Sequence, residues 1–176
     1  MRPRRHRGRR ITLMVLAALL ALFVFLTAVL FIWPSTNTPR RSNAIVVLGG
    51  SGLRLAKGLA LARAGYAPYL VLSGYGGSKC PAPPRGVKII CFNPRPDTTQ
   101  GEAREIATLA RVHDWHQIVV VPGIPQTTRA RIRIARCYAG TLLFDPVSPG
   151  DLHEWFDNVV YEWGALTKAL TLQRGC

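Results

Sequence analysis

Five short apolar runs divide the chain beyond its first quarter, and their spacing restricts the possible folds more than any other feature. Residues 44–48, Ala-Ile-Val-Val-Leu, form a continuous β-branched and aliphatic run, the pattern of a strand buried on both faces. Further runs follow at 69–72, 87–92, 117–121 and 141–144. Between them lie stretches with helical character. Residues 53–64 carry Leu55, Leu59 and Ala62 at helical spacing with Gly65 as C-cap, 99–113 are helix formers, 127–138 stop at Gly140, and a last helix covers 152–172. Strands alternating with helices of this length specify βαβ units around a mostly parallel sheet. Right-handed crossovers place helices on both faces. The expected domain is therefore a Rossmann-like, three-layer α/β unit with a five-stranded sheet.

Such sheets bind ligands beyond the carboxyl ends of their strands, near the point where strand order reverses. With the order 3-2-1-4-5, loops 49–52 and 122–129 flank that point. Loop 96–102 lies close by, and 73–77 leaves the same edge. Gly49-Gly50-Ser51-Gly52 lets backbone amides approach an anion at a helix start without a Cβ in the way. It lacks the lysine of a P-loop and the spacing of a dinucleotide fingerprint, and a plain tight turn reads equally well. Arg54 follows, as a charge for an anion or as a solvated side chain. Ser73-Gly74 offers a hydroxyl and an amide, or only a turn.

Loop 96–102 is the richest in polar groups. Thr99-x-x-Glu102 has the spacing of a capping box, in which the two side chains satisfy orphan amides at a helix start. Capping leaves Asp97 and Thr98 free to face a ligand, and Asp97 or Glu102 could handle a proton. Arg129, Arg133 and Arg136 share one helix face, usually a solvated arrangement. Arg129 is the exception to favour because it sits nearest the carboxyl edge, while Arg131 points elsewhere. His113-x-x-His116 falls at the opposite edge of the sheet, so no metal site is assigned. His153 reads as a helix-start residue, and Trp155, Phe156, Val159, Val160 and Trp163 as the packing or membrane face of the last helix. No G-x-S-x-G elbow is present, which counts against a hydrolase triad.

Residues 11–33 contain 23 residues without a charge. As a helix they would reach roughly 35 Å, enough to cross a bilayer with some tilt. The run exceeds the apolar core of a cleaved signal, about 7–15 residues, and Trp33-Pro34 closes it with an interfacial aromatic and a breaker. It reads as an uncleaved anchor in the lipid bilayer. Six arginines within residues 1–10 hold the N-terminus in the cytoplasm and place the domain outside. The chain's net charge of +14 belongs largely to that end. Beyond it, from Asn43, fifteen basic residues face nine acidic ones, which argues against nucleic-acid binding. The divisions are a basic tail at 1–10, the anchor at 11–33, a polar linker at 34–43 and one α/β domain at 44–176.

Four cysteines, Cys80, Cys91, Cys137 and Cys176, include no C-x-x-C pair. An even count in an exported domain suggests two disulfides, and four cysteines allow three connectivities. The favoured pairing joins Cys80 to Cys91 around a proline-rich loop and Cys137 to Cys176 at the end of the last helix. The alternative is that they are small buried apolar residues.

The ordered set Ala44-Ile45-Val46-Val47-Leu48-Gly49-Gly50, Ser73-Gly74, Asp97-Thr98-Thr99-x-Gly101-Glu102-Ala103, Val120-Val121 with Arg129-Ala130-Arg131, and Tyr161-Glu162-Trp163 resembles the YdcF/SanA/ElyC-like family of bacterial envelope proteins. The resemblance covers nearly the whole domain. It implies a Rossmann-like domain, often tethered by one N-terminal membrane helix, associated with envelope integrity and with peptidoglycan or lipid-carrier metabolism. No reaction is established for the family as a whole. Many members read Thr/Ser-x-x-His-x-x-Arg after the fourth strand. Here the register runs from Gly123 to Arg129 with Gln126 at the histidine position, and glutamine cannot act as an acid or base near neutral pH.

Two functions follow as expectations. The first is an anchored outward domain that binds, and could transform, an anionic small-molecule or lipid-linked envelope metabolite. Gly49, Gly50, Ser51, Ser73 and Gly74 would supply amides and hydroxyls, Thr98, Thr99 and Gln126 further hydrogen bonds, Arg54 and Arg129 charge, and Asp97 or Glu102 acid–base capacity. The second is a non-catalytic module that docks on another envelope protein. One cytosolic relative is reported to bind S-adenosylmethionine, but an outward domain would not meet it, and the acidic ribose-binding residue expected after the second strand is absent. No cofactor is assigned.

Overall fold

The computed structural model describes residues 4–176. Helix α1 (Arg4–Thr27) continues into a π-helical turn, Ala28–Ile32. The segment Gly8–Ile32 is long and apolar enough to cross a membrane. Large apolar side chains from Ile11 to Leu26 are exposed along it, and a helix that is apolar all round without protein cover suits lipid better than water.

The end of this helix is not a free tether. Phe31 is fully buried and meets Trp163 edge-on at 5.2 Å between ring centroids, while Phe23 stacks on the same indole. The Trp163 Nε1–H donates to Thr27 Oγ1 at 3.1 Å, and the Thr128 hydroxyl donates to the Leu30 carbonyl at 2.6 Å. The expected linker is also docked, as a strap. Asn37 donates its amide to the Phe144 carbonyl and accepts the Phe144 amide on its side chain. Farther on, the Ser42 amide donates to Tyr66, the Asn43 amide to Gln117, and Asn43 Oδ1 accepts the His116 and Gln117 amides.

The domain itself is β1 (Ala44–Val47), α2 (Gly52–Arg63), β2 (Tyr69–Ser73), a 3₁₀ turn (Gly77–Lys79), β3 (Lys88–Phe92), α3 (Thr99–Val112), β4 (Gln117–Val121), α4 (Thr127–Ala135), β5 (Thr141–Phe144) and α5 (Leu152–Thr171). All strand pairs are parallel, in the order β3-β2-β1-β4-β5. Alternate strand residues face opposite layers, because successive Cβ atoms leave a strand on opposite sides. Val46, Val71, Ile118 and Val120 pack with α3 and α4. Ile45, Val47, Leu70, Leu72, Val119 and Val121 pack with α2. Burying an aliphatic side chain of this size contributes roughly 1.5–3 kcal/mol. These two cores are why apolar runs with little alternation were needed.

The last helix lies on α4. Arg129 and Arg133 of α4 and Arg136 just after it hold it there, which corrects the reading of a solvated arginine face. Arg129 pairs with Glu162, Arg133 donates to the Gln173 side chain and carbonyl, and Arg136 donates to the Ala169 and Gln173 carbonyls. Arg131 points elsewhere, over the Phe144 ring at 4.2 Å and to the Ser35 carbonyl. Helix α4 is shorter than expected; residues 136–138 finish it as a turn on the Ile134 carbonyl. Both favoured disulfides are present, with Cα atoms 5.8 Å apart for Cys80–Cys91 and 4.9 Å for Cys137–Cys176.

Candidate functional site

A cleft of about 350 Å³ opens at the carboxyl edge of the sheet, over the β1/β4 switch point. Its floor is the turn after β1, and its walls are the starts of α3 and α4. Gly49, Gly50, Arg54, Gly74, Asp97, Thr98, Thr99, Glu102, Gln126 and Arg129, all anticipated above, line it. Helices α2, α3 and α4 each begin at this edge, so their positive ends converge on it.

Helix α3 does not start as expected. Its N-cap is Thr98, with extended backbone and a hydroxyl that accepts the Gly101 amide at 3.4 Å. Thr99 is thereby the first helical residue and Glu102 lies one position too far along for a capping box. Freed from capping, both side chains serve the cleft. Glu102 Oε1 accepts the Gly49 amide at 2.8 Å, joining α3 to the β1 turn. Thr99 Oγ1 accepts from Arg129 Nη1 at 2.6 Å and from Gln126 Nε2 at 3.3 Å. A related arrangement occurs at α5, where the N-cap Asp151 accepts the Glu154 amide and Glu154 accepts the amide of Gly150, one residue before the cap.

The two cleft arginines differ in what surrounds them. Arg129 makes a two-pronged bond to Glu162, Nε and Nη2 each 2.7 Å from a carboxylate oxygen, and both side chains are buried. Burial alone would lower its pKa, but the Glu162 hydrogen bonds and charge outweigh it and leave the pKa raised. Arg54 donates to the Gly49 carbonyl, and to Gln126 Oε1 at 2.8 Å. Among the described residues it forms no salt bridge. Burial lowers its pKa, and the more distant carboxylates of Glu102, Glu154 and Glu162 offset only part of this. Glycines make room for its guanidinium: a Cβ at Gly123 would stand 2.8 Å from Nη2, and one at Gly50, where φ is +144°, would collide with the group.

Gln126 bridges these arginines through Thr99. Its carbonyl accepts from Arg54 while its amide donates to Thr99, a task that needs an acceptor and a donor on one side chain. Asp97 stands exposed at the rim. Two anticipated residues lie outside the cleft. Ser51 is the N-cap of α2 and lines a smaller recess on the other side of Arg54. Ser73 is fully buried beside Gly49, and its hydroxyl has no hydrogen-bond partner among the described residues. A buried hydroxyl in that state costs about 1–3 kcal/mol.

Three lining residues were not anticipated as site residues: Asn158, Tyr161 and Glu162, all on α5. Tyr161 places its ring 5.7 Å from the Arg129 guanidinium carbon. The signal for Glu162 was a carboxylate in an apolar helix face, since a buried acid needs a cationic partner. His153 pairs with Asp157 on the exposed side of α5, and His113 stacks on Trp115 at the amino edge. No protein-family model, curated protein or solved structure matches this chain.

Proposed function

We propose that the protein is a membrane-anchored, outward-facing envelope protein whose cleft binds the phosphate of an anionic, phosphorylated or lipid-linked metabolite. The observation that carries this reading is Arg54: a half-buried guanidinium at the switch point, with no carboxylate paired to it among the described residues. An anion there would offset the cost of burying its charge. The start of α2 and the glycine-turn amides after Gly49, whose own amide Glu102 holds, add to the attraction. Arg129 does not serve this purpose, because Glu162 already neutralises it. The apolar span of α1 and the two disulfides support an anchored domain in an oxidising compartment. The resemblance to YdcF-like proteins supports a place in peptidoglycan or lipid-carrier metabolism.

If the bound phosphate compound is also transformed, we assign the proton transfer to Asp97, the exposed carboxylate at the rim. Glu102 holds the Gly49 amide and acts as a positioning residue, and Gln126 is a bridge. The second reading, a non-catalytic module that docks on another envelope protein, is favoured by Gln126 itself, which cannot titrate near neutral pH.

Titrating the full chain in lipid nanodiscs with farnesyl monophosphate and with farnesol tests the proposal. The phosphate is expected to bind at least tenfold more tightly than the alcohol, and Arg54→Met to remove that preference. Equal affinity for the two compounds, or an unchanged preference in the variant, would overturn it. Release of inorganic phosphate that is abolished by Asp97→Asn, with binding retained, would separate turnover from binding alone.

A further inference from the structure

A second cleft, of about 460 Å³ and almost wholly apolar, lies between the end of α1 and the first half of α5, lined by Thr27, Ile32, Leu152, Trp155, Phe156 and Val159. Leu152, Phe156 and Val160 expose large apolar side chains along the same stretch, Phe156 to 70%. One wall of the cleft is therefore the membrane-type helix itself, at the last turn of its apolar segment, Gly8–Ile32.

The strap shows which way the domain is turned. The end of α1 docks at Thr128, at the start of α4, and at Trp163. That is the carboxyl edge of the sheet. The chain then passes Phe144 at the end of β5 and reaches Tyr66 and Gln117 at the amino edge before β1 begins. So the apolar segment ends beside the carboxyl edge, and the strap leads from there to the amino edge. The polar and apolar clefts occupy adjacent faces of one helix: Asn158 lines the first and Val159 the second. A helix with its side chains is only about 10–12 Å across.

We propose that the apolar cleft takes hydrocarbon chains of the bilayer lipids around α1, seating the first half of α5 in the membrane surface with the polar cleft at the boundary. The first half of α5 exposes Leu152, Phe156 and Val160, and an interfacial helix buries such an apolar face at the boundary of headgroups and acyl chains. This seating gives the proposed phosphate site access to ligands in the membrane plane. It rests on the reading that α1 lies in a bilayer.

The test uses the full chain in phosphatidylcholine/phosphatidylglycerol nanodiscs, with nitrobenzoxadiazole attached to single added cysteines. Phe156→Cys reports on α5, Leu16→Cys on α1, and Ala60→Cys on α2 in the opposite layer; all three positions are exposed, so labelling leaves the cores intact. Lipids with a doxyl group high in the acyl chain are expected to quench the Phe156 label at least threefold more than the Ala60 label. Lipids with a deep doxyl should favour Leu16. Quenching at Phe156 no greater than at Ala60, with Leu16 quenched, would overturn the seating while leaving the membrane span intact. Absence of quenching at Leu16 as well would overturn the span, and the seating with it.

Discussion

Arg129 and Glu162 show how one buried pair ties the site to the fold. Removing one partner strands the other charge in a place without water, which costs roughly 3–5 kcal/mol. Glu162→Ala is therefore expected to lower the urea midpoint strongly, and Glu162→Gln, which keeps an acceptor, by less; equal and small effects would contradict the pairing. Gln126 offers a subtler case. Gln126→Leu leaves Arg54 and Thr99 each short of a partner and should cost about 1–3 kcal/mol, whereas Gln126→His can retain a donor and an acceptor. If the histidine variant gains no phosphate release with isoprenyl phosphates, the bridging role suffices to explain the glutamine. The position of Gln126 was legible in the sequence, from its register against Arg129. Its role was not, because its partners lie 72 and 27 residues away and only the assembled sheet edge brings them together. The same holds for Glu162, whose chemistry pointed to a cationic partner without saying which.

Among the elements, the strands were the most legible and the helix starts the least. Hydrophobic runs decide which residues can be buried, but one residue of displacement decides whether Thr99 caps a helix or faces a cleft. At Thr98 the extended backbone and the hydroxyl fix that choice. Gly101 secures the same turn, since an added Cβ would collide with the Pro96 carbonyl and press on Arg95. Gly101→Ala is expected to displace the segment carrying Asp97 and to weaken isoprenyl phosphate binding severalfold, with helix content by circular dichroism unchanged. Unaltered binding would mean that the turn before α3 does not shape the cleft. At the far end of α5, the Cys137–Cys176 bridge, Arg133 and Arg136 secure the same short tail. Replacing both cysteines with serine should cost roughly 2–4 kcal/mol, read as a lower midpoint under non-reducing conditions. A wild-type midpoint unaffected by reductant would contradict this.

At the scale of the whole molecule, the apolar helix, strap and domain form one connected object. The sequence showed an apolar helix, a polar linker and an α/β domain as three consecutive parts. It did not show that the linker runs the height of the sheet, because its hydrogen bonds to Phe144, Tyr66 and Gln117 depend on where edge strand β5 lies. That route brings the end of α1 beside the carboxyl edge, where Arg54 lines the cleft. Native mass spectrometry of the full chain, released from bilayers of the organism's own lipid, asks whether that site is filled. A bound species containing phosphorus is expected on the wild-type chain and is expected to be lost in Arg54→Met while Ala60→Cys retains it. A wild-type chain that carries no such species, even after incubation with isoprenyl phosphates, or an Arg54→Met chain that carries it undiminished, would contradict the assignment of the cleft as a phosphate site.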